Sequence, residues 1–269
     1  MDGIYTLPED VELHQRIMKL FDEWRSVVNS SSEIPDDDKA SFVSDGFYPG
    51  YTNQKVRVLF VGRESLQMGN ADYIEEIYPR FQSNDINGWT LDRYKFFAMQ
   101  FYIAYGFNRG FPDWNTGVPW ASELAKAMVD PDGVSFAFMN ISKFTNWSED
   151  DWQTNWELVA RSIRNARDDD FLAREVSILA PDVICTMNIA CMFGDFLGEL
   201  APLPRLSRGG DVAVYEIKLR GGRTVPLLDM WHFSAPGKSP CGSYYDPVRK
   251  LHPGLLKRFP SLDPHIKRA

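Results

Sequence analysis

Three short apolar runs constrain this chain most. Residues 55–62 (KVRVLFVG), 134–142 (VSFAFMNIS) and 181–187 (PDVICTM) are rich in apolar, β-branched and aromatic side chains. Such runs read as parallel strands buried on both faces. Parallel neighbours need crossover connections of a dozen residues or more. The intervening stretches 91–106, 120–129 and 147–180 read as helices, the last broken near 167–170, and the first ends in a glycine stop. Residues 189–200 also read as a helix, and 63–90 as irregular and polar. Residues 211–220 and 223–231 read as strands joined by a Gly-Gly turn, before a final helix over about 244–258. At the amino end, residues 8–29 form an amphipathic pattern through Val11, Ile17, Leu20, Phe21, Trp24 and Val28. A loop-like stretch follows to residue 54. The alternation predicts an α/β fold, a three-layer α/β/α arrangement with a mainly parallel central sheet. Residues 1–54 form an N-terminal helical extension and 55–269 one compact α/β domain.

Composition removes several function classes. A chain of 269 residues with 44% hydrophobic and 25% charged residues is neither disordered nor a coiled coil. No apolar run approaches the ~18 residues of a membrane span. The opening MDGIYTLPEDVEL lacks the apolar stretch of a secretion signal. Three cysteines (Cys185, Cys191, Cys241) match no metal spacing, and their odd number suits a reducing cytoplasm. The four histidines form no H-x-x-x-H pair. No cofactor or catalytic metal is expected, although a carboxylate-only Mg²⁺ site stays open. Neither a P-loop nor a G-x-G-x-x-G motif is present, and no G-x-S-x-G supports a serine nucleophile. The net charge is −8, yet residues 201–269 carry 12 Lys/Arg against 5 Asp/Glu. A basic quarter on an acidic body fits a polyanion footprint, or ordinary surface scatter.

Ligands of open parallel sheets bind outside the carboxyl ends of the strands. The segments following the runs therefore matter most. They are Gly62-Arg63-Glu64-Ser65, Asn140-Ile141-Ser142-Lys143 and His232-Phe233-Ser234-Ala235-Pro236-Gly237-Lys238. A carboxylate, an amide and an imidazole would meet on one rim. Taken singly, Glu64 also suits a helix first turn, Asn140 a strand-end cap, and His232 a half-buried structural role.

In this order and strand context, the three segments resemble the uracil-DNA glycosylase superfamily. The family carries a glycine-x-acid pattern after the first strand, an asparagine ending a middle strand, and an H-P-S type loop after the last. Here these are GRES, Asn140 and HFSAPGKS, and the likeness covers roughly residues 55–250. It implies hydrolysis of the N-glycosidic bond of a flipped-out uracil or C5-modified pyrimidine in DNA, in base-excision repair or phage defence. Glu64 would then orient water and stabilise the sugar cation, and His232 would stabilise the departing base. Asn140 would read the base edge. Phe111 would stack on it, with Phe107 as a rival. Ser65, Ser234 and Lys238 would hold DNA at the rim, joined by Arg205 and Arg208. The chain departs from the family in placing Ser65 and Leu66 where strong members have proline and then tyrosine. That tyrosine excludes C5 substituents, so Leu66 implies a wider pocket unless Tyr73 or Trp89 fills the space. The expected partner is DNA, with no membrane association and a monomeric chain. Two further readings of the residues stay open. One is a hydrolase or transferase acting on a small nucleoside or phosphorylated ligand; the other is a non-catalytic nucleic-acid-binding relative.

Overall fold

The computed structural model describes residues 3–148, 153–190, 196–204, 206 and 211–266. Helix α1 (Pro8–Ser30) and the short α2 (Asp36–Ala40) lead to the two-residue strand β1 (Gly46–Phe47). Then come β2 (Val58–Gly62), α3 (Tyr73–Ser83), α4 (Lys95–Arg109), α5 (Trp114–Gly117), α6 (Ala121–Lys126) and β3 (Ala137–Asn140). The second half runs α7 (Trp156–Arg167), α8 (Phe171–Leu179), β4 (Val183–Met187), β5 (Glu199–Pro202), β6 (Val212–Lys218), β7 (Thr224–Met230) and α9 (Asp246–Arg258).

The fold is mixed α/β. Among the described residues, seven strands form one sheet in the order β1-β3-β2-β4-β7-β6-β5. The central four, β3-β2-β4-β7, are parallel. Antiparallel pairing closes both edges, β1 on β3 at one side and β5-β6-β7 at the other. The apolar runs are buried on both faces because side chains alternate along a strand. Val58 and Phe60 of β2 enter one core, with Phe101 of α4 and Leu255 of α9. Leu59 and Val61 enter the other, with Trp24 of α1 and Val176 of α8. Each such buried side chain contributes roughly 1.5–3 kcal/mol of transfer free energy.

Three details differ from the sequence expectation. Helix α3 lies inside the stretch expected to be irregular, its first turn capped by Asp72, which accepts from the Ile74 and Glu75 amides. Pro79, seventh of its eleven residues, hid the pattern, because an interior proline removes an amide donor and ordinarily kinks or ends a helix. Strand β5 begins at Glu199, inside the stretch 189–200 expected to be helical; the segment is straightened by pairing with β6. The first 54 residues supply not only α1 but the edge strand β1. Their helix is fastened by Asp10, whose carboxylate accepts from the Gly50 amide at 2.6 Å and the Thr52 amide at 3.1 Å.

Candidate functional site

The parallel register brings three segment ends to one edge. Gly62 pairs with Asn140, and Met187 with Met230. Asn140 is 3% exposed. Its side-chain oxygen stands over Gly62, where an added Cβ would lie only 2.5 Å away. Glycine is needed there because the amide occupies the space of a side chain. The Nδ2 of Asn140 is buried with no hydrogen-bond partner among the described residues. That is costly unless something supplies an acceptor.

Glu64 follows β2 and is half-buried. Its Oε1 accepts from the Asn155 amide at 2.9 Å. Asn155 also caps α7, accepting from the Leu158 amide. Oε2 is buried and unpartnered among the described residues. Burial raises the Glu64 pKa above its ordinary value, while Asn155, the Asn146 amide and Arg63 draw it back. Arg63 reaches across β4, donating to the Thr154 hydroxyl at 2.8 Å and the Met187 carbonyl at 3.4 Å.

His232 follows β7, two strands from β2, or about 10 Å of sheet. Its ring stacks on Phe96 at 5.5 Å. Phe96 meets Phe138 edge-on at 6.1 Å, and Phe138 stacks on Tyr73 at 4.8 Å. Burial, together with the Arg63 and Lys95 charges, lowers the His232 pKa to about 4, so the imidazole is neutral at pH 7. Nδ1 accepts from the Ser234 amide at 3.3 Å, which assigns the proton to Nε2. The loop is held from behind. Lys95 donates to the Ala235 and Lys238 carbonyls, and the Tyr244 hydroxyl donates to the His232 carbonyl at 2.8 Å.

Several expected residues stand elsewhere. Phe111 packs on Phe107, Tyr245 and His252, beyond the last turn of α4. Phe96 begins that helix at the site, so its fifteen residues separate the two by about 20 Å. Phe107 belongs to the same core. Ser65 is 3% exposed, with its hydroxyl on Thr145 at 3.0 Å, so it lies inside the rim instead of on it. Ser234 is exposed beside His232. Lys238 pairs with Asp211 at 3.3 Å and lies over the Trp231 ring at 4.1 Å. Arg205 and Arg208 fall outside the described residues, as does Cys191. Leu66 is 43% exposed and Trp89 59%, whereas Tyr73 is buried against Phe138.

The sequence reading missed a repeated tripeptide. Thr-Asn-Trp occurs at 145–147 and again at 154–156. Both copies grip the Glu64 loop. Thr145 accepts from the Met68 amide at 3.0 Å, and Thr154 from Arg63. Asn146 and Asn155 flank the Glu64 carboxylate. Trp147 packs over Gly69, and Arg63 lies 5.1 Å from the Trp156 ring. The repetition was the available signal.

Among the described residues no cluster of three His, Cys, Asp or Glu could hold a metal ion, and no helix is long and apolar enough to cross a membrane. A separate cleft of about 500 Å³, lined by Thr52, Lys55 and His265 among others, opens at the amino end of β2, away from this edge. No protein-family model matches the chain, and no curated protein matches it in sequence.

Proposed function

We propose that this protein is a monofunctional DNA glycosylase acting on uracil or a C5-modified pyrimidine. The observation that supports this reading is that Glu64, Asn140 and His232 all stand at the carboxyl ends of parallel strands on the same side of the sheet, with the side-chain Nδ2 of Asn140 buried and unpartnered among the described residues. Hydrolysis of an N-glycosidic bond builds positive charge on the sugar and negative charge on the base. Glu64 faces the first, orienting water and accepting its proton as the C1′–O bond forms. A neutral imidazole with its proton on Nε2 suits the second, donating to the base oxygen as the C–N bond breaks. Asn140 offers a donor and an acceptor to the edge of a base turned out of its stack. Phe96, already against His232, provides the aromatic wall that Phe111 was expected to supply. The exposed Ser234 and the loop to Lys238 provide the DNA-facing rim. Tyr73 is buried against Phe138 and Leu66 is exposed, which supports room for a C5 substituent at Leu66.

The test is incubation with DNAs carrying uracil, mismatched thymine or C5-substituted cytosines, followed by alkaline cleavage of abasic sites. Release of at least one base by the wild type, slowed about 10²-fold or more by Glu64→Gln, is the expected result. Turnover of free nucleosides with every DNA left intact would overturn the proposal in favour of a small-ligand hydrolase.

A further inference from the structure

Behind Asn140 lies a charged cluster that the chemistry above does not use. Lys143 Nζ bonds Asp45 Oδ1 at 2.6 Å and Glu175 Oε2 at 2.9 Å, and all three side chains are 1% exposed or less. The ammonium also lies 5.3 Å from the Phe21 ring and 5.5 Å from that of Trp24. Replacing such a buried ionic group with apolar residues is often neutral or stabilising. Stability alone is thus a weak reason to keep it.

Its connections point to geometry. Strand β1 begins at Gly46, paired with Phe138, so no β1 backbone group lies opposite Asn140. The Asp45 side chain takes over, accepting from the Asn140 amide at 2.7 Å. One carboxylate thus joins the Asn140 backbone to the Lys143 ammonium. Lys143 sits midway along a segment, 140–146, that is buried throughout. The segment is laced on both sides. Its Ile141 and Ser142 amides donate to the Gly62 and Arg63 carbonyls at 3.1 and 2.8 Å. Its Lys143 carbonyl accepts from the Val43 amide at 2.7 Å. One end carries the Asn140 amide and the other carries Asn146, beside Glu64.

We infer that Asp45, Lys143 and Glu175 are positioning residues, setting where the Asn140 amide stands and fixing its distance from the Glu64 loop. The functional part of this inference rests on the glycosylase reading. The Gly62 contact leaves the amide no slack, so a small shift at Asp45 is felt at the recognition edge.

The variant Asp45→Asn keeps the shape but turns a second donor toward Lys143. Three measurements test it on the full chain: rate per folded molecule on the best DNA substrate, selectivity among bases, and the ¹⁵N–¹H resonances of the Asn140 side-chain Nδ2 group. We expect kcat to fall at least tenfold with KM for DNA within twofold, a changed base preference, and a large shift of the Asn140 Nδ2 resonances. A core variant outside the cluster, Leu255→Ala, should lower Tm without any of these. The triple variant Asp45→Asn/Lys143→Met/Glu175→Gln removes the facing donor and should recover part of the rate. If Asp45→Asn fails to fold, Glu175→Gln, which keeps the Asp45–Lys143 pair, is measured in its place. Unchanged Nδ2 resonances, or wild-type kcat and selectivity in the folded variant, overturn the inference. Should the wild type release no base from any DNA, the glycosylase reading fails, and the Asn140 Nδ2 resonances alone decide the positioning.

Discussion

Around Asn140 every residue from 140 to 146 is buried; along the His232 loop, residues 231–238, only Phe233 is. Trp231 is 42% exposed and Phe233 fully buried, while Ser234 faces solvent. The first segment is held by sheet register, a buried ionic cluster and hydrogen bonds to two neighbouring segments. The second hangs from a few contacts, chiefly Lys95 and Tyr244. A recognition amide gains from rigidity, because discrimination between bases depends on unsatisfied polar groups being felt. On the glycosylase reading proposed above, a loop that meets a polymer and closes over a flipped base gains from give.

The comparison is broken most severely at the carboxylate. Glu64→Gln should lower kcat by about 10²-fold or more with little change in Tm, read by single-turnover base release. A near-normal rate would remove Glu64 from the chemistry. Next, Gly62→Ala drives a methyl into the Asn140 oxygen. We expect a rate loss of about tenfold or more and about 1–3 kcal/mol of destabilisation by denaturant melts. The equivalent crowding on the loop side should be milder.

Two phenylalanines, one in the first turn of α4 and one just past its end, sharpen the contrast. Phe96→Leu should reduce activity several-fold to about tenfold, the scale of one lost base-stacking contact. Phe111→Leu should instead cost about 1 kcal/mol of stability and leave the rate of the folded enzyme unchanged. The reverse pattern would return Phe111 to the site.

Proton linkage separates the sides again. The folded His232 titrates at about 4, against 6.5 when unfolded, so the unfolded chain binds more protons between those values. The stability it contributes is complete above pH 6.5 and lost as pH falls toward 4. The Tm advantage of wild type over His232→Gln should shrink across that window. Activity should show no acid limb at 6.5; the limb belongs to Glu64, whose pKa lies above its ordinary value of 4.5. Asp72, raised to about 6, runs the other way and weakens the wild-type slope, which is why the difference between the two proteins is measured. The smallest effect is expected at Lys238. Asp211 already neutralises it at the surface, so Lys238→Ala should weaken DNA binding about twofold, and less in high salt.

Much of this was legible in the chain itself. The apolar runs announced β2, β3 and β4, because a strand buried on both faces must be apolar at every position. Gly62, Asn140 and His232 could be placed at strand ends for the same reason. Helix α3 was obscured by Pro79, and β5 by a segment, Glu199–Pro202, with no β-branched residue. Motif order points to Phe111, with Phe107 as rival, and passes over Phe96, since nothing along the chain says which end of a helix reaches the sheet edge.

The sequence by itself determined the layered α/β architecture and the strand-end position of the three site residues. Periodicity and burial are local properties, repeated along each element, and they survive without knowledge of neighbours. Only the tertiary structure decided what surrounds them. Asp45, Lys143 and Glu175 are 98 and 32 positions apart along the chain, and each alone reads as an ordinary surface charge. Their burial together exists only because β1, the segment after β3, and α8 converge. The lowered pKa of His232 and the unpartnered amide of Asn140 arise in the same way, from long-range packing that excludes water around groups whose local sequence predicts none of it.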